Sequence, residues 1–160
     1  MRQTFHSFDG TNISYHFHQG KGPLTLVFLH GVGANWTVWK KELKYFQRRN
    51  YSTLAADLRG HGWSDAPEEP KKYILQNFSR DLYELIRMKK IHHFALIGHS
   101  LGGSIAIAYC MFHHDRSPTS MVLVESSTSY PFGRHQLFHL GPTLSKLFHF
   151  LAHHQLIRQP

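Results

Sequence analysis

The feature that most constrains this chain is residues 94–110, FALIGHSLGGSIAIAYC, an apolar strand-like run that passes through a glycine-flanked serine straight into a small-residue helix. A strand that turns so sharply into a helix forces the turning residue, Ser100, into a strained backbone conformation. Side chains at Gly98 or Gly102 would collide there with neighbouring backbone. The strain lifts the Ser100 hydroxyl above the sheet edge. The Leu101 N–H, at the positive end of the following helix, faces the place where an oxyanion would form. The G-x-S-x-G spacing has chemical meaning only between a strand and a helix, and both are predicted here. The competing reading is a glycine-rich turn carrying an incidental serine.

The rest of the pattern is consistent with a strand and a helix at those positions. Two alternating segments, 4–8 and 12–18, flank Asp9-Gly10-Thr11 and predict a β-hairpin. LTLVFLH at 24–30 is a continuous apolar run, as expected of a strand covered on both faces. Trp36, Trp39, Leu43 and Phe46 recur at helical spacing, and 53–56 predicts a short strand. The loop at 57–72 carries Pro67 and Pro70. A second amphipathic helix runs through Ile74, Phe78, Leu82 and Ile86, and strand 94–98, a helix over 101–113 and strand 121–125 follow. Strands alternating with helices specify an α/β fold, a mostly parallel sheet with right-handed crossovers and helices on both faces, with an antiparallel start. After residue 130, Pro142 opens a further amphipathic helix through Leu144, Leu147, Phe148 and Leu151.

By this crossover pattern the strand at 24–30 lies beside the one leading to Ser100. It ends in His30-Gly31-Val32-Gly33, where the Val32 N–H could serve as a second oxyanion donor, unless the segment is simply a flexible turn. His30 is placed as an organiser of that turn. Composition then limits the alternatives. The 160 residues carry a formal charge of +8, but the Lys/Arg clusters fall on polar helix faces without a nucleic-acid motif, so no nucleic-acid partner is expected. The 15 histidines show no metal-ligand spacing, and neither a metal nor another cofactor is expected. One cysteine, no signal-like apolar region and no apolar run near 20 residues lead to the expectation of a cytoplasmic protein without a transmembrane segment.

HGVGANW at 30–36, DLRGHGWSD at 57–65 and GHSLGG at 98–103, in this order, resemble the α/β-hydrolase fold superfamily. The resemblance implies that Ser100 is the catalytic nucleophile. It also implies that the amides of Val32 and Leu101 form the oxyanion hole, that His30, Gly31, Gly98 and Gly102 support it, and that Asp57, Arg59 and Ser64 belong to a structural loop. Serine at this position, where relatives that open epoxides have aspartate, implies acyl transfer to water from a small-molecule, ester-like substrate through an acyl-serine, with esters, thioesters, lactones, amides and certain carbon–carbon bonds all open as the bond cleaved. Residues 1–130 are then the amino-terminal part of the hydrolase core, and 131–160 the start of a helical cap.

In that family the acid and the histidine of the triad follow the serine, after later strands. No histidine here has a visible orienting acid. His99 is expected to pack away from the site, and Glu125, at the end of the sixth strand, is one strand earlier than the usual acid. Two expectations follow. Either the chain is the amino-terminal part of a longer serine hydrolase, or it is an inactive remnant or binding module. In both cases the sixth strand leaves an apolar edge that invites homo-oligomerisation or a complementary chain.

Overall fold

The computed structural model of the chain describes residues 2–126, so the helix expected at 142–151 and the cap expected at 131–160 lie outside the described residues. Six strands form one sheet in the order β1-β2-β4-β3-β5-β6. The expected hairpin is β1 (Arg2–His6) and β2 (Asn12–His18), antiparallel, with Gly10 at φ 84 in the turn. β2 also runs antiparallel to β4 (Ser52–Ala56). From there β3 (Thr25–Leu29), β5 (Phe94–His99) and β6 (Ser120–Val124) continue in parallel. The run at 24–30 is thus a central strand paired on both sides, next to the strand that leads to Ser100.

Because side chains alternate along a strand, the apolar runs serve two layers at once. Val27, Leu29, Leu54 and Leu96 face α2 (Leu75–Met88) and α3 (Leu101–Phe112), where Phe78, Leu82, Ile86, Ile105 and Tyr109 complete one core. Leu26, Phe28, Ala55 and Ala95 face the other way, onto Leu43 of α1 (Lys40–Gln47), with Trp36, Trp39 and Phe46 packed around them. The helix expected from residue 36 starts as one 3-10 turn, Trp36–Trp39, because the Asn35 side chain accepts from Thr37 N–H and tightens the entry.

Helices α1 and α2 both end on a left-handed residue, Asn50 (φ 62) and Lys90 (φ 54). In each, the next residue's N–H reaches back into the helix, Tyr51 to Phe46 and Ile91 to Ile86. Asparagine tolerates this backbone, whereas a lysine β-carbon there costs about 1 kcal/mol.

Candidate active site

Ser100 stands between the end of β5 and the first turn of α3 at φ 51, ψ −115, well outside the regions that L-residues ordinarily occupy. Backbone contacts hold it there. Its N–H donates to the Val124 carbonyl of β6 at 3.0 Å, and its carbonyl accepts from Gly103 N–H and Ser104 N–H at 3.0 and 3.2 Å. Glycines make the bend possible. A β-carbon at Gly98 would stand 2.5 Å from the Gly102 carbonyl carbon, and one at Gly102 would enter the Leu29 and His30 carbonyls. Gly31 comes closest from the carboxyl end of the neighbouring parallel strand β3, where a β-carbon would be 3.2 Å from the Ser100 β-carbon and 2.9 Å from His99 Nδ1. The structure therefore brings Gly31, Gly98, Ser100, Leu101 and Gly102 together, with Ser100 partly exposed and Leu101 buried.

His30 is fully buried and its protonation can be read from its partners. Leu58 N–H donates to Nε2 at 3.0 Å, so Nε2 is the bare nitrogen and Nδ1 carries the proton, donated to the Gly31 carbonyl at 2.8 Å. Burial, with the His61 ring tilted against it 5.3 Å away, pushes its pKa from 6.5 down to about 3. It is therefore a neutral strut between the turn at 30–33 and the loop that begins at Asp57. The Gly31 carbonyl and the Val32 N–H lie on opposite edges of one peptide plane, so fixing the carbonyl on His30 aims that N–H the other way. Neither the Val32 nor the Leu101 N–H finds an acceptor among the described residues. The Val32 side chain itself is half exposed.

Asp57 is buried beneath this loop and accepts from two backbone donors, Trp36 N–H at 2.8 Å and Trp63 N–H at 3.0 Å. Burial raises its carboxyl pKa, against the lowering effect of those two bonds. Gly62 packs directly on its carboxylate. Arg59, also fully buried, donates two bonds to Asp81 on α2, at 2.7 and 2.6 Å, and one to Asp9 in the hairpin turn at 3.2 Å. Burial opposes the guanidinium charge, and the two carboxylates more than offset it, so its pKa is raised. Ser64 donates to the Asp57 carbonyl at 2.7 Å. These three residues hold the loop in place, and none bonds the Ser100 hydroxyl.

Two residues beside the serine were less legible in the sequence. His99 does not simply pack away: its Nε2 lies 3.3 Å from a carboxylate oxygen of Glu125, which follows β6 at φ 47. The pair is solvated, the Glu125 side chain being 82% exposed. The only signal for it was that both residues end neighbouring parallel strands. Among the described residues no imidazole or carboxylate hydrogen-bonds the Ser100 hydroxyl, and no group of three or more His, Cys, Asp or Glu could hold a metal ion. No described helix is long and apolar enough to cross a membrane.

Residues 25–147 match the α/β hydrolase fold family. The chain is 34% identical to epoxide hydrolase 3 of Xenopus tropicalis over 137 residues, 86% of this chain and 36% of that protein. It is 37% identical to epoxide hydrolase 2 of Siraitia grosvenorii over 97 residues, 61% of this chain and 30% of that one. The chain thus spans about a third of the length of the curated relatives it matches. An esterase from Exiguobacterium antarcticum superposes with a TM-score of 0.73 at 29% identity, over 79% of this chain and 46% of the esterase. An epoxide hydrolase mutant from Vigna radiata superposes with a TM-score of 0.70 at 30% identity, over 77% of this chain and 37% of that one. With its strand order, its bent serine and its match across most of its length, the chain belongs to the α/β hydrolase fold family.

Proposed function

We propose that the chain carries the nucleophile of a serine hydrolase that transfers the acyl group of a carboxylic ester-like substrate to water. The observation that carries this reading is the Ser100 backbone, φ 51 and ψ −115, held above the strand ends by three close-packed glycines. Ser100 Oγ attacks the ester carbonyl carbon as its proton passes to a base. The tetrahedral oxyanion is stabilised by the N–H groups of Val32 and Leu101, and its collapse breaks the bond to the alcohol, which leaves with the proton. Water then attacks the acyl-serine, releasing the acid and restoring the hydroxyl. A serine attacks an acyl carbon and yields an ester that water cleaves. The aspartate that the family resemblance implies for epoxide-opening relatives would instead attack an alkyl carbon. This chemistry favours an esterase-type reaction over epoxide opening.

The base and its acid come, in this reading, from the part of a longer enzyme that corresponds to the remaining two thirds of its relatives' length. A second reading, a binding module without turnover, is favoured by the absence of any base on the Ser100 hydroxyl among the described residues. In either reading the side of β6 that is unpaired among the described residues meets a second copy or a complementary chain.

A fluorophosphonate probe separates the two. The hydrolase reading expects labelling of the 160-residue chain that disappears in Ser100→Ala, with ester hydrolysis about 10³ to 10⁴ over water, the level an oxyanion site reaches without its full triad. No labelling at any pH, either of the chain alone or of the chain together with the carboxy-terminal part of a relative that supplies the acid and the histidine, overturns it in favour of the binding module.

A further inference from the structure

At the amino ends of the parallel strands, opposite Ser100, three loops meet: 19–24 before β3, 48–51 before β4 and 89–93 before β5. Between the first and the third of them, with Ser52 of β4 beside it, lies a groove of about 280 Å³, whose lining includes Gln19, Ser52, Lys89, Lys90, His92 and His93. The three loops contain Lys21, Arg48, Arg49, Lys89 and Lys90 and not one Asp or Glu. The wall is rigid. Lys21 N–H and Gly22 N–H both donate to the Asn50 carbonyl, at 3.0 and 3.1 Å, and Gly20 packs so closely on that carbonyl that no β-carbon fits.

Two further observations concern the lysines. Lys90 occupies the left-handed position that closes α2, where glycine is the unstrained choice. Its side chain is not needed as a cap, because Lys90 N–H and Ile91 N–H already bond the Arg87 and Ile86 carbonyls. Lys89 is held in place, its Nζ 4.5 Å from the Phe17 ring centre and 3.2 Å from Gln3 Oε1. The side chains of Lys90, His92 and His93 bond to none of the described residues.

We infer that this groove binds a phosphate-bearing anion. Its lining residues include two lysines and two histidines and no carboxylate, and that concentration of donors suits a group with several anionic oxygens. The strain at Lys90 is accounted for if its ammonium group serves the ligand and not the fold. The groove lies at the other end of β5 from Ser100, roughly 20 Å away at about 3.3 Å per strand residue. It therefore stands or falls apart from the proposed hydrolase chemistry.

The test is an amide NMR titration of the isotopically labelled 160-residue chain with pyrophosphate at low salt. The expected result is saturable binding with shifts confined to residues 17–25, 52 and 89–93. Lys90→Gly should weaken it about tenfold with no fall in Tm, whereas Lys41→Ala, which removes the same charge from the exposed face of α1, should change it less than twofold. Shifts that never saturate, or equal weakening by both variants, overturn the inference, since either would mean general attraction to a cationic chain. A parallel flotation assay uses phosphatidylcholine vesicles with or without phosphatidylinositol 4-phosphate. Flotation only with the phosphorylated lipid supports the site and assigns a lipid headgroup. Pyrophosphate binding without flotation supports it and assigns a soluble phosphate, and absence of both overturns it.

Discussion

Strands β3 and β6 are both five residues long and rich in aliphatic side chains, TLVFL and SMVLV, yet every residue of the first is buried and every residue of the second is exposed. Their composition does not separate them. Strand β3 is paired on both edges, by β4 and β5, and covered on both faces by helices, whereas β6 among the described residues is paired only by β5. Their ends differ in the same way. His30, just past β3, is sealed, and Glu125, just past β6, extends into solvent. Apolar character thus states what a strand can bury, and neighbours decide what it does bury.

The largest effect expected from this contrast is on stability. Phe28→Ala should cost about 3–5 kcal/mol in urea unfolding, because it empties a site enclosed on all sides, whereas Leu123→Ala should cost under about 1 kcal/mol. Similar values for the two variants would break the contrast. The next effect is at the strand ends and is read with pH. Because the folded state lowers the His30 pKa from 6.5 to about 3, the unfolded chain takes up a proton in that window that the folded chain does not. The contribution of His30 is therefore complete above pH 6.5 and is lost as the pH falls towards 3, with a slope approaching about 1.4 kcal/mol per pH unit. His61, whose pKa burial also lowers, steepens the same limb. Unfolding measured from pH 7 to 4 should show this slope and lose much of it in His30→Asn. Glu125→Gln should shift stability by less than about 0.5 kcal/mol at any pH, as expected for a solvated pair.

The smallest effect on stability, and the clearest on association, is at the open edge. Val122, half exposed on β6, becomes in Val122→Lys a charge of the kind that natural edge strands carry against pairing. Sedimentation should show the parent chain associating and this variant shifted towards monomer. A parent that sediments as a dilute monomer would mean that the edge is covered from within the chain.

Much of this architecture was legible in the sequence because apolar periodicity is local. The run at 24–30 stated its burial, the 101–113 pattern its helix, and the glycines around Ser100 the bend between them. The contacts that lock the loop at 57–65 were not legible in detail. Arg59 finds its partners at positions 9 and 81, and no spacing rule announces a buried ion pair between residues so far apart. Likewise the tautomer of His30 depends on one amide, that of Leu58, which only the folded chain brings near. No histidine with an orienting acid is legible in the sequence as the base for Ser100, and the described residues place none on its hydroxyl.

The Arg59 contacts also bear on how the polypeptide is made. Asp9 is synthesised early, Arg59 fifty residues later and Asp81 after that, and Ser7 donates to the same Asp81 carboxylate at 2.5 Å. The first hairpin can form as it leaves the ribosome, but its anchorage waits until the middle of α2 has also emerged. A ribosome stalled before residue 81 clears the exit tunnel should therefore display a hairpin still open to protease, and one stalled well beyond it a hairpin that resists.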